Sequence, residues 1–378
     1  MPDQLQIPRA ADQGPPRRAG AGHCRFHRTT RPGASAGRGR RRGVQHLGRT
    51  TVAGGRGARM TAPLPLYDEL PAGSLGGRLG WGVFGDTDQR GTINHLTPEI
   101  VESASKLVKR GVTFPLDHPI GHFSPPIVKG RLETQHHVIE MADGLAMDDY
   151  YDAYFPQGGS QWDSLAHFGY ERDKFYNGAS VDEIRSQNRN TIHSWTATGI
   201  VGRGVVLDMP AYFESTGVAY RPDETFEITS AHLDGAATLQ GSTRKPGDIL
   251  LVYTGFDRWY ESQDHAGRTE ITQRKTIAGL ARSEETARHL WNTRVAAVAS
   301  DNLAVEASPG DFSADAMPFG FLHQMLIGSL GIALGELWKL ADLVADCRES
   351  HVYEGMLVST PIGAPGGIGS PANAILIK

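Results

Sequence analysis

Three observations predict a single α/β domain over residues 60–378. Two near-continuous apolar runs, 202–209 and 247–256, are typical of strands that are buried on both faces of a sheet. Helical signals separate and follow these runs, so helices and strands alternate along the chain. The sequence has no internal repeat, and after residue 60 it has no linker long enough to mark a domain boundary.

The first elements lie upstream of these runs. Residues 97–111 begin with Thr-Pro, carry apolar residues at helical spacing and stop at a glycine, which predicts a helix. Residues 113–120 follow as a short strand. Residues 133–141 alternate as a second strand, which would place His136 and His137 on opposite faces.

The later elements continue the alternation. Residues 229–241 begin with Thr-Ser, which favours a helix N-terminus, and residues 283–306 predict a helix followed by a strand. Residues 321–347 have a helical pattern but contain three glycines. We therefore expect a broken helix there, or a strand around residues 331–335.

The charge distribution argues against nucleic acid and membranes as partners. Residues 1–59 hold 13 of the 38 basic residues and two of the 42 acidic ones, which leaves 25 basic and 40 acidic residues, a net charge of −15, from residue 60 onward. A polyanion or an anionic membrane would need a basic face. We expect a small-molecule substrate, no nucleic acid and no membrane.

Residues 1–59 are rich in Arg, Gly and Ala and lack apolar periodicity. We interpret them as a disordered basic extension or as the product of a start codon assigned too far upstream, because Met60 opens a segment typical of an N-terminus. A basic tail that binds a polyanion is the alternative.

The residues from 60 onward hold one cysteine, Cys347, which excludes a disulfide framework and a cysteine-based zinc site. Without a signal peptide or a run of ~18 apolar residues, a cytoplasmic protein is expected.

A glycine-rich stretch, PQGGSQWDSLAHFGY at residues 156–170, holds the candidate site. Asp163 and His167 are four residues apart and would share a face if a helix begins after the aspartate. Gln157 and Gln161 show the same offset, and the glycines between them permit a tight turn. Carboxylate and imidazole are ordinary ligands for Mn, Fe or Zn, and a glutamine carbonyl oxygen can complete a hard, oxygen-rich shell. The alternative is structural: an aspartate that caps a helix, and a surface histidine beside core residues.

The stretch resembles the signature of the cyclase family, the kynurenine formamidase-like metal-dependent hydrolases, whose pattern is H-x-G-T-H-x-D-x-P-x-H. At identical spacing the glycine, the aspartate and the last histidine match, at Gly159, Asp163 and His167. Ser160 replaces the threonine of the pattern, and Leu165 replaces the proline. Gln157 and Gln161 replace the two earlier histidines, which we interpret as a variant branch of the family.

Other segments add to the resemblance. Residues 322–343 resemble the family's distant histidine and glutamate, and they supply His323 and Glu336. Residues 251–256 and 300–309 also resemble family segments. The resemblance implies the swivelling β/α cyclase-type fold, which is a mixed sheet approaching a barrel with outer helices, and usually a homo-oligomer.

The resemblance also implies divalent metal, Mn or Zn, and a water that attacks the carbonyl of an amide, ester or lactone. His167 and Asp163 are the expected catalytic pair, with His167 moving the proton to the leaving group. An amide oxygen binds zinc less well than imidazole does, so two metals, one or none remain open, and His136 or His137 is a possible replacement ligand. The expected metal ligands are Asp163, Gln161, Gln157, His323, Glu336 and His137.

Two other functions remain open on the same scaffold. A cyclase or isomerase would leave the substrate mass unchanged, whereas hydrolysis adds a water. A metal-free protein that binds a small molecule would purify without metal. A serine hydrolase has little support, because no G-x-S-x-G motif occurs from residue 60 onward. Aromatic residues around the stretch, among them Tyr151, Tyr154 and Phe155, favour a flat apolar substrate.

Overall fold

The computed structural model describes residues 64–378, and the expectation for residues 1–59 lies outside them. The described strands are β1 (Thr113–Pro115), β2 (Gln135–Met141), β3 (Ala146–Asp152), β4 (Gln161–Asp163), β5 (Ile200–Asp208), β6 (Glu227–Ile228), β7 (Ile249–Tyr253), β8 (Gly279–Leu280), β9 (Ala297–Ser300), β10 (Ala333–Glu336), β11 (Glu354–Ser359), β12 (Gly369–Pro371) and β13 (Ala374–Ile377). The described α-helices are α1 (Pro98–Ser105), α2 (Val181–Gln187), α3 (Met209–Thr216), α4 (Ser230–Leu239), α5 (Phe256–Ser262), α6 (His265–Arg274), α7 (Glu284–Asn292) and α8 (Ala341–Ser350).

Nine strands form one mixed sheet in the order β1-β13-β11-β5-β7-β9-β10-β4-β12. Its centre is parallel, from β5 through β7 and β9 to β10. The remaining strands extend it antiparallel on both sides. The sheet curls into a half-barrel and the helices pack against it, which confirms the predicted α/β class with a mixed sheet approaching a barrel.

The predicted strands and helices are present with shorter bounds. The two apolar runs form β5 and β7, which are buried along nearly their whole length because both faces of a parallel sheet are covered. α1 begins after the predicted cap at Thr97 but ends at Ser105, whose hydroxyl donates to the Glu102 carbonyl at 2.7 Å. Such a bond competes with the helical backbone pattern and favours an early end.

The glycine-containing stretch 321–347 is divided, as expected. A π-helical segment covers Gln324–Ser329, β10 follows, and α8 begins at Ala341. At Gly331 the backbone has φ +67°, and an added Cβ would lie 2.4 Å from the Tyr176 ring. Only glycine fits this corner, which is why the helical pattern breaks there.

The strand predicted over residues 133–141 belongs to a separate hairpin. β2 pairs in full register with β3, and this two-stranded sheet joins no other strand of residues 64–378. Apolar side chains on both of its faces are exposed, with Leu145 at the turn 90% accessible. An isolated hairpin is only marginally stable in water, so this arm lacks the support that the main sheet gives its strands.

β4 is short but firmly anchored, and it positions the candidate site. Trp162 is fully buried, packs edge-to-face on Trp338 at 4.8 Å, and donates from Nε1 to Ser359 Oγ at 2.9 Å. Because side chains alternate along a strand, a tryptophan fixed in the core directs Gln161 and Asp163 to the opposite face. Truncation of such a tryptophan costs about 3–5 kcal/mol and would release both side chains.

No helix in the described residues is long and apolar enough to span a bilayer. Residues 64–378 form one compact unit.

Candidate metal centre

The candidate site lies where β4 meets β10. The two strands pair antiparallel, with Gln161 opposite Glu336 and Asp163 opposite Leu334. His323 immediately precedes the π-helical segment. π-helical turns are rare and are frequent at functional sites, because the extra residue redirects the side chains around it. The strand register and this turn bring residues from three distant parts of the chain together.

The centre of the site is a buried cluster of acids and histidines. His323 Nε2 lies 2.8 Å from Glu336 Oε1 and 3.8 Å from Asp163 Oδ2. Asp163, Glu336 and His323 are at most 4% exposed. Asp163, His167 and His323 each supply one potential ligand atom, and these three atoms lie within 4.8 Å of one another. Buried charges at such distances are expensive unless they are paired or bind a cation.

His167 reaches this cluster through a turn and not through a helix. The sequence left open whether a helix begins after Asp163; residues 164–167 form a turn instead, in which His167 N donates to Ser164 O at 2.9 Å. The turn still brings the two side chains together, with His167 Nδ1 3.8 Å from Asp163 Oδ1. The His167 side chain keeps 24% of its surface accessible, so it faces the open side of the cluster.

Gln161 bridges the two carboxylates. Its Nε2 donates to Glu336 Oε2 at 2.7 Å and lies 3.5 Å from both oxygens of Asp163. Its Oε1 is buried and has no hydrogen-bond partner among the described residues. A buried acceptor without a donor costs about 1–3 kcal/mol, so this oxygen favours a bound donor or cation.

Glu306 is a member of the site that the sequence did not single out. His323 Nδ1 lies 3.0 Å from both Glu306 oxygens, and Glu306 is 1% exposed. A carboxylate on one ring nitrogen leaves the other nitrogen directed at the cluster, which is the arrangement that metal-binding histidines usually have. Glu306 falls within the family-like segment 300–309, but no spacing linked it to a particular histidine.

The shifted pKa values follow from burial and close charges. Burial, more than the charge of Glu336, raises the pKa of Asp163 to about 6, against the lowering effect of the two histidines. Burial also raises the pKa of Glu336 and lowers that of His167. Burial would lower the pKa of His323 too, but the carboxylates of Glu306 and Glu336 outweigh it and raise this pKa well above its usual value. Without a cation, the cluster holds a proton on His323.

One of the predicted ligands is placed elsewhere. His137 lies on the exposed hairpin, where its ring stacks on Tyr150 at 4.6 Å and its Nε2 is 3.2 Å from Asp152. His137 is therefore not brought to Asp163, because β2 pairs only with β3. The neighbouring His136 likewise stacks on a tyrosine of the hairpin, Tyr151. Gln157 stays beside the site, because its side chain packs against Gly369, where an added Cβ would lie 2.4 Å from its Nε2, and Gly369 pairs with Asp163 between β12 and β4.

Arg131 lies in the wall of a cavity that Asp163, His167, His323 and Glu336 do not line. The guanidinium donates to the Gln157 carbonyl, and its charge acts on Asp163 and Glu336. The cavity has a volume of about 570 Å³, and Arg131 lies in its wall. The wall is mostly apolar and aromatic, with residues that include Phe123, Leu132, Tyr154, Phe155 and Pro156. Nothing in the sequence marked Arg131, since a lone arginine between two strands carries no pattern.

Comparison with known proteins identifies the family of the chain. The family model described as "Putative cyclase" matches residues 111–307, which include β4 and His167 but end before His323 and Glu336. No curated protein matches the chain.

A solved structure described as a novel cyclase is 34% identical, with a TM-score of 0.69 over 79% of this chain and 99% of that one. Isatin hydrolase A from Labrenzia aggregata, bound to benzyl benzoate, is 16% identical, with a TM-score of 0.51 over 75% of this chain and 98% of that one. Isatin hydrolase A from Ralstonia solanacearum is 17% identical, with a TM-score of 0.51 over 71% of this chain and 92% of that one. The two hydrolases share the fold, whereas the family model covers more than half of the chain. The chain belongs to the cyclase family.

Proposed function

We propose that the protein is a metal-dependent hydrolase that cleaves an amide, ester or lactone bond of a small molecule. The observation that carries the proposal is the buried cluster of Asp163, His323 and Glu336, with Glu306 behind the histidine. The three carboxylates of Asp163, Glu336 and Glu306 surround one imidazole, so the buried cluster carries more negative than positive charge. A divalent cation balances such a set.

The donor set fits one divalent ion. Asp163, His323 and Glu336 supply two carboxylates and an imidazole, and the partnerless Oε1 of Gln161 is available once its amide group turns over. A mixed set of oxygen and nitrogen suits Mn or Zn. Because the amide is the weakest of these ligands, we propose one metal and not two, with manganese favoured over zinc.

The bound ion would lower the pKa of a water molecule and polarise the substrate carbonyl. The chain's own residues have separate tasks. His167 is neutral near pH 7 because burial lowers its pKa, so it can accept a proton from water and pass it to the leaving group. Glu306 fixes the His323 ring through Nδ1, which leaves Nε2 directed at the ligand position.

The cavity supports a flat, mostly apolar substrate. Its wall is mostly apolar and includes aromatic and proline side chains, and the Arg131 guanidinium lies in it together with two carboxylates, Asp117 and Glu133. Such a wall would bury the ring of an aromatic compound while the guanidinium orients a carbonyl or carboxylate oxygen. The fold shared with the isatin hydrolases makes isatin, a flat bicyclic compound with an amide in its ring, the first substrate to test.

The test joins metal content with turnover. We expect wild-type protein reloaded with manganese to hold close to one ion per chain and to hydrolyse at least one member of a panel of isatin, N-formyl anilines, aryl esters and aromatic lactones. Asp163→Ala should lose both properties. Asp315→Ala, which removes an exposed aspartate, is the matched control. Turnover of the panel by Asp163→Ala at the wild-type rate would refute the proposal.

A metal-free binding protein is the second candidate, and one observation favours it. The Gln161 amide already donates to Glu336 and approaches Asp163, so it partly fills the position of a cation. This candidate predicts no stoichiometric metal even in excess manganese. It also predicts that aromatic ligands still bind, which fluorescence quenching or calorimetry would detect.

A further inference from the structure

A second pair of histidines lies outside the site described above. His118 and His122 follow β1, and a turn closed by the bond from His122 N to Pro119 O, 3.0 Å, reverses the chain between them. Gly121 has φ +81°, which suits glycine. The two rings are stacked, with centroids 4.1 Å apart and planes 13° from parallel.

Both rings carry a nitrogen that lacks a partner. The Nε2 atoms of His118 and His122 are buried and make no hydrogen bond to any described residue. His118 is only 7% exposed. Burial lowers the pKa of His118 to about 3 and also lowers that of His122, so both imidazoles are neutral at pH 7. A neutral imidazole is the form that binds a metal, and a buried nitrogen without a partner costs free energy until something occupies it.

Glu261 completes the group. It lies on α5. One of its carboxylate oxygens and one ring nitrogen of each histidine all lie within 4.8 Å of one another. This group shares no residue with the cluster around Asp163. Its carboxylate is exposed, so the group is open on one side.

We infer that His118, His122 and Glu261 form a second divalent-cation site that prefers zinc. Two imidazoles and one carboxylate are a zinc donor set that leaves a fourth position for water. Zinc at about 2.1 Å from each ligand brings tetrahedral ligands to about 3.4 Å from one another, which needs a closure of about 1.4 Å at most from the separations of up to 4.8 Å. The side chain of Glu261 is long and exposed, so it supplies most of this movement.

The neighbouring cations do not oppose the ion directly. Lys339 and Arg268 both act on His122, but each has a partner of its own. Lys339 Nζ pairs with Asp342 Oδ2 at 2.7 Å, and the Arg268 guanidinium lies over the Tyr260 ring at 4.6 Å.

A zinc ion bound by His118, His122 and Glu261 would stabilise one wall of the cavity. His118 and Phe123 line the cavity, whereas Glu261 belongs to α5 and does not line it. An ion held by all three ligands cross-links the segment 117–123 to α5. Zinc therefore acts on the shape of the cavity from outside the Asp163 cluster, as a structural cross-link.

The experiment separates the two sites by working in an Asp163→Ala background. Full-length protein is stripped with a chelator and titrated with zinc against a competing indicator, and cobalt replaces zinc for visible absorption spectra. We expect Asp163→Ala to retain one zinc per chain and to show the intense visible bands of tetrahedral cobalt. Adding Glu261→Gln should weaken zinc binding at least tenfold and remove the bands.

Matched controls complete the design. His136→Ala with His137→Ala removes two hairpin histidines and should leave zinc binding unchanged, whereas His118→Ala with His122→Ala should abolish it. Glu261→Gln decides the question if the latter double variant does not fold, because its residue is exposed. Zinc binding that is absent in Asp163→Ala, or unaffected by Glu261→Gln, would overturn the inference and leave a stacked aromatic pair only. A wild-type protein that binds the Glu261-dependent zinc but no Asp163-dependent metal would count against the hydrolase and not against this site.

Discussion

Glu306 holds His323 by Nδ1, with both carboxylate oxygens 3.0 Å from that nitrogen, while Nε2 of the same ring lies 2.8 Å from Glu336. The ring therefore has a carboxylate on each side. When a cation occupies the cluster, the Nδ1 proton stays on the Glu306 side and Nε2 is free to bind. The orientation of the histidine depends on a residue that is not itself a ligand.

Glu306→Gln should weaken manganese binding 10–100-fold, the usual effect of removing the carboxylate behind a metal-bound histidine. The amide keeps the size of the side chain but takes away its charge, so His323 becomes less basic and its ring less fixed. Competition titration with a metal indicator measures the change. Glu214→Gln, on the exposed face of α3, is the control. An unchanged affinity in Glu306→Gln would show that this contact does not orient a ligand.

Gln161→His should increase zinc affinity by tenfold or more and shift the preference from manganese to zinc. An imidazole is a stronger zinc ligand than an amide oxygen, and residue 161 faces Glu336 across the strand pair. Binding isotherms for both metals, on wild-type protein and the variant, measure this shift. If histidine here reduces binding of both metals, the amide is needed as a hydrogen-bond donor, as the metal-free candidate requires.

The sequence could predict the ligand cluster in outline because the spacing of Asp163 and His167, and the family-like glutamate and histidine, are local patterns. It missed Glu306, since the contact with His323 depends on how β9 and the loop after it pack. It misplaced His137, because period-two alternation cannot distinguish a sheet strand from a free hairpin. The turn in place of a helix after Asp163 was equally invisible, as both bring residues four apart together.

Asp257 should make the protein less stable as the pH rises. Burial, then the charge of Asp301, raises the pKa of Asp257 to about 8, well above its value in an unfolded chain. Stability from a raised pKa is complete below about pH 4 and is lost progressively as the pH approaches 8. We expect this group to remove roughly 1–3 kcal/mol of unfolding free energy between pH 5 and pH 7.

Asp257→Asn should flatten this dependence. The amide oxygen can still accept the Leu340 and Ala341 N–H groups at the start of α8, which Asp257 Oδ2 accepts at 3.0 and 2.9 Å. Urea unfolding of chelated protein at pH 5, 6 and 7 measures the difference from wild type, in which shared contributions cancel. Asp315→Asn should keep the wild-type slope. Parallel curves for wild type and Asp257→Asn would contradict the assignment.

The hairpin should mediate self-association. Val138, Leu145 and Met147 are 58%, 90% and 60% exposed, and apolar patches of this kind mark interaction surfaces. We predict a homo-oligomer in which two copies of the chain cover each other's β2–β3 arms. Leu145→Glu with Met147→Glu should convert it to a monomer, as measured by sedimentation velocity.

The matched control for that measurement is Leu239→Glu, which charges an exposed leucine at the end of α4. It should sediment like wild type. A wild-type chain that sediments as a monomer at micromolar concentration would refute the prediction, since no interface would then exist for the hairpin to form.

The hydrogen bond from Gln161 to Glu336 joins residues 175 positions apart. A loop of this length must close before the contact can form, which costs conformational entropy. The ligand cluster therefore exists only where β4 and β10 are paired, and an unfolded chain cannot present it as one site. Metal uptake by refolding protein would then report on the pairing of two strands that lie far apart in the sequence.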